Sequence, residues 1–177
     1  MPIKKIQYDN KQFESEIFKD KNFTDSSFKN SEFLDCTFEN CNLSNVNLIN
    51  VKFKNIMFKK CKILGLNFSN CNKFLLRFNF EDSLISICIF SNLDLQNTRF
   101  YNCEVKSCDF AKTNLKNVNF EDSDLEDSIF ENTNLSFASF KNAKNYRIDP
   151  NQNLLKKTKF SIPEVISLLK VYDIEIV

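Results

Sequence analysis

The stretch NFTDSSFKNSEFLDCTFENC, Asn22 to Cys41, places Phe at 23, 28, 33 and 38. A large aromatic every fifth residue suits neither common backbone. On a helix, five steps rotate a side chain by about 140° from its predecessor, so no stripe forms. On a strand, five steps send it to the opposite face. A sustained period of five therefore demands a backbone that changes direction once per repeat.

The period is long. Large apolar residues occupy 13, 18, 23, 28, 33, 38, 43, 48, 53, 58, 63 and 68, and the slot fails at Lys73. A second series runs from Phe80 through Ile85, Phe90, Leu95, Phe100, Val105, Phe110, Leu115, Phe120, Leu125, Phe130 and Leu135 to Phe140. The series are twelve residues apart at the join, so CNKFLLRFNF (71–80) carries a two-residue phase shift. Asn145 and Pro150 miss the slot, and Leu155 and Phe160 return to it. Seventeen of the twenty Phe fall in this slot, so it sets the fold.

Two residues before each centre lies a smaller slot, for example Ser26, Ser31, Cys36, Cys41 and Val46 in the first series, and Ser83, Cys88, Thr98 and Cys103 in the second. The other three positions are mostly Asn, Asp, Glu, Lys and Ser. Two inward and three outward side chains make one side of a square, and four sides make a coil of about twenty residues. Coils then stack at roughly 4.8 Å through parallel strand pairing, with small and large slots filling a narrow interior. The expectation is an all-β solenoid. Asn suits its corners because it tolerates left-handed backbone and bonds locally to the main chain, and the single Gly leaves most corners to such residues.

All seven Cys (36, 41, 61, 71, 88, 103 and 108) fall in the small-slot phase. Cys41 with Cys61, and Cys88 with Cys108, stack on neighbouring coils, where parallel Cβ vectors make a poor disulfide. There is no His and no Cys-x-x-Cys spacing, so the Cys read as core and neither a metal nor a cofactor is expected.

From Asn145 the pattern changes. Ser161 with Glu164 reads as a capping box, with Pro163 in the first turn. Ile162, Val165, Ile166, Leu169 and Tyr172 then share one face of a helix of about eleven residues. DIEIV follows as a short extended end. The helix either caps the last coil or, through its further apolar residues Leu168, Val171, Ile174 and Ile176, also buries against a second copy. The domain reading is an N-terminal cap (1–10), a first β-helical segment (11–70), a register break (71–79), a second segment (80–145), and a terminal coil, capping helix and strand (146–177).

SEFLD, CNLSN, TNLKN, SDLED and TNLSF make the chain resemble the pentapeptide-repeat family over about residues 11–142. The resemblance implies a right-handed quadrilateral parallel β-helix. The tail, NY-x-ID followed by KK-x-KFS and a Leu-rich helix, resembles quinolone-resistance proteins of the Qnr and MfpA type. Those proteins dimerise through their C-terminal ends into a rod that resembles B-form DNA and binds DNA gyrase and topoisomerase IV. The resemblance thus implies a homodimer through Ile162, Val165, Ile166, Leu168, Leu169, Val171, Tyr172, Ile174 and Ile176. Long loops between coils are lacking, as in the MfpA pattern.

In a solenoid, sequence position maps onto height, so charge becomes a profile. Overall the net charge is +1. Residues 41–79 hold seven bases and no acid, whereas 80–140 hold eleven acids and four bases. The acids concentrate in Glu121, Asp122, Asp124, Glu126, Asp127 and Glu131 with no base between, flanked by Asp109 and Glu104. Over about three coils this is roughly 0.5 charge per Å, near the duplex value of about one per 1.7 Å. These eight acids are the candidate partner-binding band of a DNA mimic that protects a type II topoisomerase from quinolones or gyrase poisons. The basic belt does not fit full-length mimicry, and a scaffold with an unrelated partner is the other reading. Direct nucleic-acid binding is not expected, since the belt carries no recognisable module. Nor is catalysis: His is absent, the Cys point inward, and no Gly-rich phosphate loop exists. No run is long enough to span a membrane and the N-terminus does not read as a signal peptide, so the cytoplasm is the expected compartment.

Overall fold

The structure, a computed structural model, describes residues 8–175. It is a right-handed quadrilateral β-helix of about seven turns. Each coil sits on the one below at an offset of twenty residues, as in the parallel pairs Phe13↔Phe33, Phe18↔Phe38 and Leu84↔Glu104, except across the register break, where Lys62 pairs with Leu84. Four faces follow. Face 1 carries the strands Gln12–Glu14, Glu32–Leu34 and Lys52–Lys54, then the column Asp94, Asn114, Asn134. Face 2 is a five-stranded parallel sheet centred on Phe18, Phe38, Phe58, Phe80 and Phe100. Face 3 runs through Asn22, Asn42, Lys62, Leu84, Glu104, Asp124 and Lys144, and face 4 through Asn67, Ile89, Asp109, Ile129 and Arg147.

Both slots are inside. The small residues from Ser26 to Ala138 and the large ones from Phe23 to Phe140 are buried. Phenylalanines stack up the faces, at 4.8 Å for Phe80 on Phe100 and 5.0 Å for Phe90 on Phe110, with interplanar angles of 17° and 3°. Opposite faces meet edge-on across the interior, as Phe90 of face 4 does Phe100 of face 2 at 5.7 Å. Offset stacking and edge contacts are the arrangements the ring quadrupole favours. Cysteine behaves as core: all seven thiols are free and buried. Cys41 and Cys61 donate to carbonyls of the preceding coil, Phe18 and Phe38, at 3.1 and 3.2 Å. Burial pushes the Cys103 thiol up to about 12, which keeps it protonated and inert.

Corners occur every fifth residue with φ between +51° and +62°, mostly at Asn or Asp. The expected local bonding of the corner Asn is only half the account. Many corner amides donate instead to the corner one coil below: Asn30 to Asn10 at 3.1 Å, Asn55 to Asp35 at 2.6 Å, Asn102 to Asp82 at 2.7 Å. Local bonding belongs to a different position, the residue before the centre. There Asn42, Asp109 and Asn119 accept the N–H two residues on and tighten a turn, while Glu32, Lys52 or Met57 at the same place leave a strand. Gly65 holds one corner at φ +70°, where an added Cβ would meet Asn45 Oδ1 at 2.8 Å.

The register break makes one coil of twenty-two residues, pairing Ile56 with Phe78. Lys73, Phe74 and Leu75 turn outward, Phe74 to 72% exposure, and the chain re-enters the core at Leu76 and Phe78. The missed slots near 145 and 150 are filled by shifted residues. Tyr146 and Ile148 are buried, and Ile148 lies against Phe130 eighteen residues earlier. Burial raises the Tyr146 phenol to about 12, with the Glu164 carboxylate adding to the effect.

The tail departs from expectation. Glu164–Tyr172 is a 3-10 helix of nine residues entered from Pro163, not an α-helix. No capping box forms. Ser161 Oγ instead accepts the Asn142 N–H at 3.0 Å, and Glu164 Oε1 accepts the Asn145 N–H at 2.6 Å. Both side chains serve orphan donors of the previous coil, which outcompete the helix's own first turn. Asp173 ends the helix in left-handed backbone. Of the extended end, Ile174 and Glu175 form no strand and Ile176 and Val177 lie outside the described residues, as does most of the N-terminal cap.

Candidate interaction surface

The six central acids do not run along the rod. They wrap half of one coil: Glu121 on face 2, Asp122 at the next corner, Asp124 and Glu126 on face 3, Asp127 at its far corner, and Glu131 on face 4. Glu104 lies directly below Asp124, and Asp109 below Ile129. This is a half-collar at one height.

The collar is not free of bases, as the sequence order suggested. The twenty-residue offset inserts Lys106 from the coil below and Lys144 from the coil above. Lys106 Nζ lies 3.3 Å from Glu104, 3.6 Å from Asp124 and 3.4 Å from Glu126, and Lys144 lies 3.9 Å from Asp124. The Glu104 carboxylate beside it, and Asp124 after it, raise the Lys106 ammonium above its ordinary value. Burial works against the charged form of Asp124, but the Asn145 amide (2.8 Å), the Glu126 N–H and the two lysines outweigh it and hold its carboxyl below the usual range. Asp122 accepts from the Asn142 amide at 2.9 Å, and Glu121 from Ser139 Oγ at 2.8 Å. Among the described residues, Asp127 and Glu131 make no ion pair or side-chain hydrogen bond. A groove of about 510 Å³ along the corner of faces 2 and 3 is lined by Asp82, Glu104, Lys106, Asp122, Asp124 and Lys144.

Three of the seven bases in the basic belt are likewise paired with acids of adjacent coils. Lys52 and Lys54 both reach Glu32, at 3.2 and 2.6 Å, and Lys59 reaches Glu81 at 3.0 Å. Lys54, then Lys52, depress the Glu32 carboxyl.

At the C-terminal end the expected dimer residues divide. Leu168 packs against the core of its own chain, and Val165 is half-buried. Ile162 (85% exposed), Ile166, Leu169, Val171, Tyr172 and Ile174 are exposed, leaving an apolar surface beside half-buried Leu155 and Phe160. In 3-10 geometry residues three apart share a face, which sets half-buried Leu168 on the same inward side as Val165. Among the described residues, no group of His, Cys, Asp and Glu is arranged to hold a metal ion, and no helix is long and apolar enough to cross a membrane.

Solved structures of the same architecture are known. A trypsin-treated form of QnrB1, a plasmid-mediated fluoroquinolone resistance protein, superposes with a TM-score of 0.74 over 98% of this chain and 90% of its own, at 15% identity. A second treated form gives 0.60 over 94% and 100%, at 13% identity. HetL, involved in heterocyst differentiation regulation in the cyanobacterium Nostoc sp. strain PCC 7120, gives 0.51 over 88% of each chain, at 9% identity. These are likenesses of fold. No curated protein matches the sequence. The model of the pentapeptide repeats matches residues 17–45, 36–72, 88–127 and 108–144, and with more than half its length so matched the chain belongs to the pentapeptide-repeat family.

Proposed function

We propose that this protein binds a type II topoisomerase, DNA gyrase or topoisomerase IV, at its DNA-binding surface and protects it from quinolones or gyrase poisons. The observation that carries this reading is the half-collar: six carboxylates on one coil across three adjoining faces. A basic saddle built for duplex meets such a surface with its cations, as it meets phosphates. The exposed apolar end supports pairing of two chains by two-fold symmetry, which would set the collars toward the middle of a longer rod. The fold shared with QnrB1 agrees with the reading.

Its test is supercoiling by gyrase with a fluoroquinolone present while the protein is titrated in. Restored supercoiling near equimolar protein is the expected result. Inhibition without rescue would make the protein a competitor and not a protector. A scaffold role with another partner is favoured by the way Lys106 and Lys144 are drawn into the collar, and no effect on either topoisomerase at large excess would establish that reading instead.

A further inference from the structure

The corner between faces 3 and 4 reads, from coil to coil, Asp25, Asn45, Gly65, Ile87, Ser107, Asp127. Ile87 does not belong in such a column. Its φ is +55°, a left-handed conformation in which β-branched side chains are strained. Packing does not account for its retention, because Ile87 is 63% exposed. Phe137, an aromatic at another left-handed corner, at least has Lys116 and Lys157 over its ring at about 6 Å. Leu75 belongs to the register break.

Ile87 also has apolar company. Leu84 on face 3 and Ile89 on face 4 are exposed on the same coil, half-buried Leu64 lies on the coil below, and residues 83–93 carry no charge. Each member stands in a column that meets an acid within two coils above it: Leu84 under Glu104 and Asp124, Ile87 two coils under Asp127, Ile89 under Asp109. Two coils are roughly 10 Å. One partner surface can therefore cover both.

We infer that Leu84, Ile87 and Ile89 form an apolar ridge that docks on the same protein partner as the carboxylate collar, one whose basic groove is bordered by an apolar strip. The inference rests on the topoisomerase reading above. Exposed strain at a corner that Asn would occupy without cost points to selection for contact. The ridge also separates this protein from the duplex it imitates, because a phosphate backbone offers nothing apolar at that place. It supplies specificity for the protein partner where charge alone would be read by any cation-lined groove.

Binding of the full chain to gyrase and to topoisomerase IV, with thermal melting in parallel, tests this. Ile87→Asn should melt at the same temperature or higher, since strain is relieved, yet bind at least tenfold more weakly. Leu84→Thr with Ile89→Thr should weaken binding similarly, and Glu126→Gln with Asp127→Asn and Glu131→Gln should weaken it more. If the wild type binds and the collar variant fails while Ile87→Asn stays within twofold of wild type, the ridge is overturned and the topoisomerase reading stands. Ridge variants that change only self-association in sedimentation would assign the ridge to a second copy and also overturn the inference. A wild type that binds neither enzyme overturns both.

Discussion

The coils before the register break and those after it share one core but treat charge in opposite ways. Up to it and across it, sign alternates from coil to coil: Lys19, Glu39, Lys59 and Glu81 follow one another up face 2, and Lys19–Glu39 (3.1 Å) and Lys59–Glu81 (3.0 Å) pair. After it, like also stands on like. Asp124 stands on Glu104, and the repulsion is relieved by Lys106 between them, Lys144 above and the amide of Asn145. The first segment uses its charges to bind coil to coil. The second concentrates them at a place where only a few neighbours compensate, an arrangement that costs stability and makes sense at a contact surface. Net charge over a stretch of sequence does not distinguish the two, but the twenty-residue column does.

Several changes would break or sharpen that contrast. The largest effect should be the same on both sides. Phe38→Ala before the break and Phe110→Ala after it each remove a fully buried ring, and each should cost about 3–5 kcal/mol in denaturant melts. Unequal losses would show that the two cores are not equivalent. Gly65→Ala should cost about 1–2 kcal/mol, because the new Cβ meets both left-handed backbone and Asn45. Tyr146→Phe should stabilise by up to about 1 kcal/mol, since the phenol oxygen is buried without a hydrogen-bond partner among the described residues.

Acid then separates the segments more finely. The folded Asp124 and Glu32 carboxyls both lie below their ordinary values, so each contributes stability that is present above the unfolded value and lost as pH falls through the folded one. Asp124→Asn should flatten the acid limb of stability below about pH 4 more than Glu32→Gln, because Glu32 is held only by surface lysines. The smallest structural effect belongs to Lys106→Met, which should leave the melting temperature nearly unchanged while tightening topoisomerase binding. Weaker binding would show that Lys106 is itself a contact.

The period of five made the fold legible, because a residue every fifth place has no home except one side of a square. Its buried slots, the phase shift and the inert Cys follow from the same spacing. What the sequence concealed was lateral. Lys106 is eighteen residues from Asp124 along the chain, and only the closed coil brings it within 3.6 Å. The collar's half-ring shape was hidden for the same reason, since adjacent acids in sequence turn a corner at Asp122 and Asp127. Tyr146 and Ile148 were missed because a rigid count of five passes over a coil that shortens by two, although a large aromatic one place off register could have been recognised as its substitute. The Ser161 and Glu164 signature failed because backbone donors in the preceding coil compete for the same side chains.

The collar's shape has a consequence for any partner whose groove is built to hold a duplex. Coils rise by roughly 4.8 Å, whereas successive phosphates on one DNA strand rise by about 3.4 Å. A file of carboxylates along the axis would drift out of phase with a phosphate-binding groove, a full spacing within about three coils. Carboxylates placed around the girth of a single coil accumulate no such phase error. They present their charge at one latitude, where the mismatch of pitch between protein and nucleic acid never enters.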